Sequence, residues 1–249
     1  TGSGAIDFAS TLTGAGNSLT MNTGGLTTFG GLVTLGGPDV TTGTLSVNAL
    51  TIGSGGLSLT TSGGGITQGG AFTVTGTSSF NAGDNAITLT NSGNDFVGAV
   101  SLTNSGVNNV ALDNGSNALT LGTSSVGSGT LSLSGGGISQ TGAITQAAGA
   151  GMTSLDAGSG ALLLTNTGND FTGAVTATGA GVSITDKNNL DIASLTDTAN
   201  GDISLSSGGQ LTLPAGTTIA VGGNLTLASK GGTLRTKGSL SGENVSLSG

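Results

Sequence analysis

The sequence predicts an all-β fold: a right-handed parallel β-helix (β-solenoid) of about twelve coils of about 21 residues, running through residues 1–249 as one segment. Three observations point there. Apolar–polar–apolar triplets recur along the whole chain, turn-forming clusters separate them, and the distance across two triplets is steadier than the distance across one.

In chain order the triplets include Leu19-Thr20-Met21, Leu45-Ser46-Val47, Leu57-Ser58-Leu59, Ile87-Thr88-Leu89, Val100-Ser101-Leu102 and Leu131-Ser132-Leu133. They continue through Val182-Ser183-Ile184, Leu190-Asp191-Ile192, Ile203-Ser204-Leu205 and Leu225-Thr226-Leu227 to Val245-Ser246-Leu247. Side chains alternate along a strand, so each triplet places aliphatic groups on one face and Ser or Thr on the other. Between them stand clusters such as Asn91-Ser92-Gly93-Asn94-Asp95 and Asp113-Asn114-Gly115, whose residues supply positive φ and local side-chain hydrogen bonds. No segment carries a helical period. Leu89, Leu112 and Leu133 close triplets 23 and 21 residues apart, and Ile184 and Leu205 close two that are 21 apart. A near-constant sum over irregular single gaps implies a coil with two main strands and unequal turns.

A hairpin sandwich has similar strand spacing. With six Phe, no Trp and no Tyr, this chain lacks the bulk to fill a gap of about 10 Å between sheets, and we expect an interior of Leu, Ile, Val and Ala. Parallel crossovers are right-handed, which sets the expected hand. Stacked at about 4.8 Å per coil, the rod is roughly 55–60 Å long.

Composition excludes several functions. Of 249 residues, 51 are Gly, 31 Ser, 41 Thr and 19 Asn, and there is no Cys or His. That rules out disulfides, thiol or imidazole metal sites, and any triad built on histidine. Four Lys and Arg neutralise few phosphates, so no nucleic-acid partner is expected. Gly and Ser content alone would signal disorder, but a mean hydropathy of +0.25 argues for burial. The longest apolar run, Ala161–Leu164, is far too short to cross a membrane as a helix. No initiator Met opens the chain, and we read it as part of something longer.

A longer repeat overlies the coils: residues 62–100 match 134–175. Ser62–Thr73 matches Ser134–Thr145 at an offset of 72, and Ala82–Val100 matches Ala157–Val175 at 75. The extra residues lie between Thr145 and Ala157, where a turn absorbs them. Duplication of whole groups of coils is the expected origin.

The blocks TLTNSGNDFVGAVSLTNSG, LSLSGGGISQTGAIT and GGLTTFGG resemble the repeat regions of large secreted bacterial proteins of the filamentous haemagglutinin type, the two-partner-secretion exoproteins and related β-repeat adhesins. The resemblance covers roughly residues 20–249. It implies a right-handed parallel β-helix, export through an outer-membrane transporter, and a secreted or cell-surface role as an adhesin or its shaft.

Gly93-Asn94-Asp95-Phe96 and Gly168-Asn169-Asp170-Phe171 contain the Gly-Asn-Asp core of calcium-binding nonapeptides, making Asp95 and Asp170 the calcium candidates. Calcium needs six or more oxygens from tandem turns. These copies stand 75 residues apart, so we favour a tight turn with Phe covering the coil edge, and no cofactor. Asp186, Asp191, Asp197 and Asp202 are the densest acidic set. Paired carboxylates can cleave glycans, but no Trp or Tyr offers a sugar platform, so no enzyme is expected. Thr73-Val74-Thr75, Thr88-Leu89-Thr90 and Thr176-Ala177-Thr178 do not recur at one coil offset, which argues against an ice-binding face. Residues 1–186 hold eight acids and no base, and 187–249 hold four of each, a distribution that serves solubility.

The reading that fits best is a rigid, non-catalytic β-helical shaft of a bacterial fibrous adhesin. The alternative is a self-assembling subunit of an extracellular filament or sheath. Expected partners are a cell-surface or glycan receptor, or neighbouring copies of the chain.

Overall fold

A computed structural model of the chain describes residues 2–214, 216 and 218–249. The strand pairings are parallel, and each strand lies over one about a coil earlier in sequence. Ile66 lies under Ile87, Ile87 under Val110, Val110 under Leu131, Leu131 under Thr153 and Thr153 under Val175. These are steps of 21, 23, 21, 22 and 22 residues, and the stack comprises about 11 turns. The β-solenoid expected from the sequence is the fold.

Each coil has three sides, where the spacing implied two main strands. One coil runs through Val110–Asp113, Leu119–Leu121 and Ser124–Val126 before Leu131–Ser134 returns over Val110–Asp113. Each side lacks an aliphatic triplet in some coils, as at Asp95–Phe96 and Ser124–Val126, which hides the third side in the sequence. Near the N-terminus two sides merge into one bent strand. Val33–Thr42 lies under Leu50–Ile52 with its first half and under Leu57–Thr61 with its second.

The interior is dry because alternation recurs in register. Ile66, Ile87, Val110 and Leu131 stack in one column, all essentially without solvent contact. Burial of each such side chain contributes about 1.5–3 kcal/mol. The aliphatic-only interior needs correcting. Phe96 and Phe171 are fully buried rather than lying on the coil edge. Phe96 meets Phe72 and Phe80 edge to face, with ring centroids 6.5 and 5.8 Å apart. Three-sided coils enclose a wider space than two-sided ones, and aromatic rings fill it. Outside, polar columns form: Ser58 under Ser79 under Ser101, and Ser132 under Ser154 under Thr176.

The long repeat is not a whole number of coils, contrary to expectation. Ser78–Asn81 lies between Leu57–Thr61 and Val100–Thr103. Its counterpart 75 residues on, Thr153–Asp156, lies between Leu131–Ser134 and Val175–Gly179. That second column is the one containing Ile66 and Ile87, a different side of the coil. Three coils carry Ile66 to Leu131, and the chain then turns one corner to reach Ile138, the repeat equivalent of Ile66. Each copy therefore advances three coils and one side. One corner design makes this workable. Asn81, Asp113 and Asp156 each accept the N–H of the glycine two residues later, at 3.0, 2.8 and 2.9 Å. Those glycines, Gly83, Gly115 and Gly158, have φ of 58°, 60° and 56°, a turn that only glycine enters at low cost. The turn leaves one side of the coil in the first case and another in the other two.

Candidate functional site: the paired glutamine–asparagine clamps

The Gly-Asn-Asp-Phe segments hold the most elaborate side-chain chemistry of the molecule, and their asparagines point inward. Asn94 and Asn169 have no solvent exposure. The Asn94 amide donates to Gln68 Oε1 at 3.0 Å, the Leu89 carbonyl at 3.1 Å and the Asp113 carbonyl at 2.9 Å. Its Oδ1 accepts from Gln68 Nε2 at 2.7 Å and the Phe72 N–H at 2.9 Å. Asn169 repeats this. It donates to Gln140 Oε1 at 2.9 Å and to the Leu164 and Thr185 carbonyls at 3.1 Å each. Its Oδ1 accepts from Gln140 Nε2 at 2.8 Å and the Ile144 N–H at 3.0 Å. Each asparagine thus ties three successive coils together and leaves none of its own polar atoms unpaired.

The expected tight turns are present. Asn91 Oδ1 accepts from the Gly93 N–H, and Asn166 Oδ1 from the Gly168 N–H, both at 2.9 Å. The clamps themselves escaped the sequence reading, which took each Asn as a surface turn residue. A signal was present: between the copies Gln68/Gln140 and Asn94/Asn169 are identical while Thr67/Ser139 and Gly69/Thr141 beside them differ.

The two copies diverge one coil further on. In the first, Asn114 Oδ1 accepts the Phe96 N–H at 2.8 Å. In the second, Asp186 Oδ2 accepts the Phe171 N–H at 2.6 Å, and its Oδ1 accepts the Asn188 N–H at 2.6 Å. Asp186 is 1% exposed. Burial pushes its pKa above the ordinary carboxylate value and the nearby Asp170 adds to this, while the two backbone hydrogen bonds and Lys187 oppose it.

The calcium candidates are half-buried, Asp95 in a strand and Asp170 at an isolated bridge to Thr145. Asp95 lies over Thr73 in the ladder. Asp170 is bound by Lys187 Nζ at 2.9 Å and accepts from Asn188 Nδ2 at 3.1 Å. Among the described residues no three acidic side chains gather around either. The acidic set is likewise dispersed. Asp191 is exposed in a ladder under Thr212, Asp197 caps the Ala199 and Gly181 N–H groups, and Asp202 caps the Asn224 N–H. Of the Thr-x-Thr residues, Thr88 lies under Ala111, and Thr176 lies between Ser154 and Ser194. Threonine therefore does not tile these columns.

A stack of three-sided coils around one apolar interior is a β-solenoid repeat protein, in which a duplicated unit here carries a duplicated internal clamp. The chain belongs to the family described as repeats of unknown function (DUF5649), whose model matches residues 31–103 and 107–178. Each match contains one Gln–Asn clamp. No curated protein and no solved structure matches the chain.

Proposed function

We propose that the chain is a rigid shaft segment of a secreted or surface-anchored bacterial fibrous adhesin, without chemistry of its own. The observation that carries this reading is the one-side advance of each repeat. Duplication has preserved the interior clamps yet placed equivalent surface turns, Asn91–Gly93 and Asn166–Gly168, at different edges of the rod. A binding face would need equivalent surface groups on one side, whereas a shaft needs only continuity of its core. The resemblance to β-repeat adhesins supplies the cellular setting, and export through an outer-membrane transporter goes with it.

Removing one repeat from the protein in its native cellular context tests the reading. The expected result is surface display and unchanged receptor choice with a shorter reach, measured by electron microscopy of labelled cells. Failure to find the protein outside the cell overturns the cellular setting. If the purified 249-residue chain itself blocks adhesion, the segment is a receptor-binding element and the shaft reading is lost.

A further inference from the structure

The chain contains two Asn-Gly dipeptides, Asn114-Gly115 and Asn200-Gly201, and the fold treats them oppositely. We infer that Asn200 is a site of spontaneous backbone-assisted deamidation in the folded protein, and that Asn114 is protected from the same reaction. In this chemistry the Gly201 nitrogen attacks Asn200 Cγ, a C–N bond forms, the proton passes to the departing amide nitrogen, and ammonia leaves. Water then opens the five-membered imide at either carbonyl, giving Asp or isoaspartate. No other reactant is required.

Asn114 is locked against it. Its side chain is fully buried, donates to the Ala118 carbonyl at 2.8 Å and accepts from the Phe96 N–H. The attacking atom is held as well, since the Gly115 N–H is bound to Asp113 Oδ1 at 2.8 Å. At Asn200 neither restraint exists. Its side chain is exposed and makes no hydrogen bond to any described residue, and the Gly201 N–H likewise donates to none.

The fold nevertheless demands both residues. Asn200 has φ of 54°, and among the described residues no other non-glycine has positive φ; asparagine tolerates this region better than most side chains. Gly201 packs on Gly181, where a Cβ would come within 2.7 Å of the Gly181 Cα and N. Requirements on shape thus place the most reactive dipeptide at an open turn. Conversion adds a carboxylate between Asp197 and Asp202, and in the isoaspartate form lengthens the main chain by one carbon over Gly181.

Incubation of the folded chain in mildly alkaline buffer, followed by peptide mapping with isoaspartate-specific methylation, tests this. We expect Asn200 to convert at least ~10-fold faster than Asn114, because Asn114 reacts only after local opening of its coil. In urea the two should convert at similar rates, showing that the fold makes the difference. Asn200→Gly, which suits the positive φ, should abolish the signal and leave thermal unfolding cooperative. Comparable rates at the two sites in the folded chain, or no conversion at Asn200 while the unfolded chain reacts, would overturn the inference.

Discussion

Asn94 and Asn169 each satisfy backbone groups that no water reaches, so their loss leaves donors and acceptors stranded. Asn94→Ala strands the Phe72 N–H and the Leu89 and Asp113 carbonyls. A buried group left unpaired costs about 1–3 kcal/mol, and we expect a loss on the order of 3 kcal/mol by urea unfolding. Gln68→Ala should cost less, and the double variant less than the sum, because the two amides bond each other. Asp186 behaves oppositely. Its folded pKa is raised above the ordinary 3.8, so between 3.8 and the raised value the folded chain holds a proton that the unfolded chain has released. Stability therefore falls as pH rises through that window, and the deficit persists to neutrality. Asp186→Asn, which keeps an acceptor for the Phe171 N–H but cannot also accept the Asn188 N–H, should flatten the pH dependence of the melting temperature above 3.8. Equal pH profiles for parent and variant would show that Asp186 is not the titrating group.

At the scale of the element, the coil corners set what substitutions the strands tolerate. The alternating triplets were legible because aliphatic columns need only period two and a near-constant coil length. The number of sides was not, because the side that lacks a triplet changes from coil to coil: Ile66–Thr67 lies in the column of Ile87 and Val110, and Asp95–Phe96 in that of Phe72. Corner glycines were legible as turns but not as stacking contacts. Gly127 packs on Gly106, and a Cβ at Gly127 would strike the Gly106 carbonyl oxygen. Gly127→Ala must push two coils apart, and we expect at least ~2 kcal/mol of destabilisation in denaturant melts. Substitution of Gly149, where φ is 72° but a Cβ meets nothing, should cost only the strain of its conformation.

For the molecule as a whole, the three-coils-and-one-side advance has a direct consequence. Deletion of residues 83–157 joins Ala82 to Gly158 within the same corner design and removes one repeat. The remaining coils should restack, because the strand entering after the junction, Leu162–Leu164, has the inward pattern of Ile87–Leu89 that it replaces. The product should unfold cooperatively and be shorter by about 16 Å in solution scattering, at about 4.8 Å per coil. A deletion of three whole coils, 66–130, keeps every strand on its original side, removes the first clamp whole and leaves the Gln140–Asn169 clamp intact, and should likewise unfold cooperatively. The β-solenoid architecture was determined by sequence alone, because alternation, turn chemistry and coil spacing are local properties repeated often enough to be read. Which polar residues turn inward, which glycines touch the coil beneath, and on which side each repeat lands were decided only by stacking. Those contacts join residues about a coil or more apart, and their partners are set by the exact length of every intervening turn.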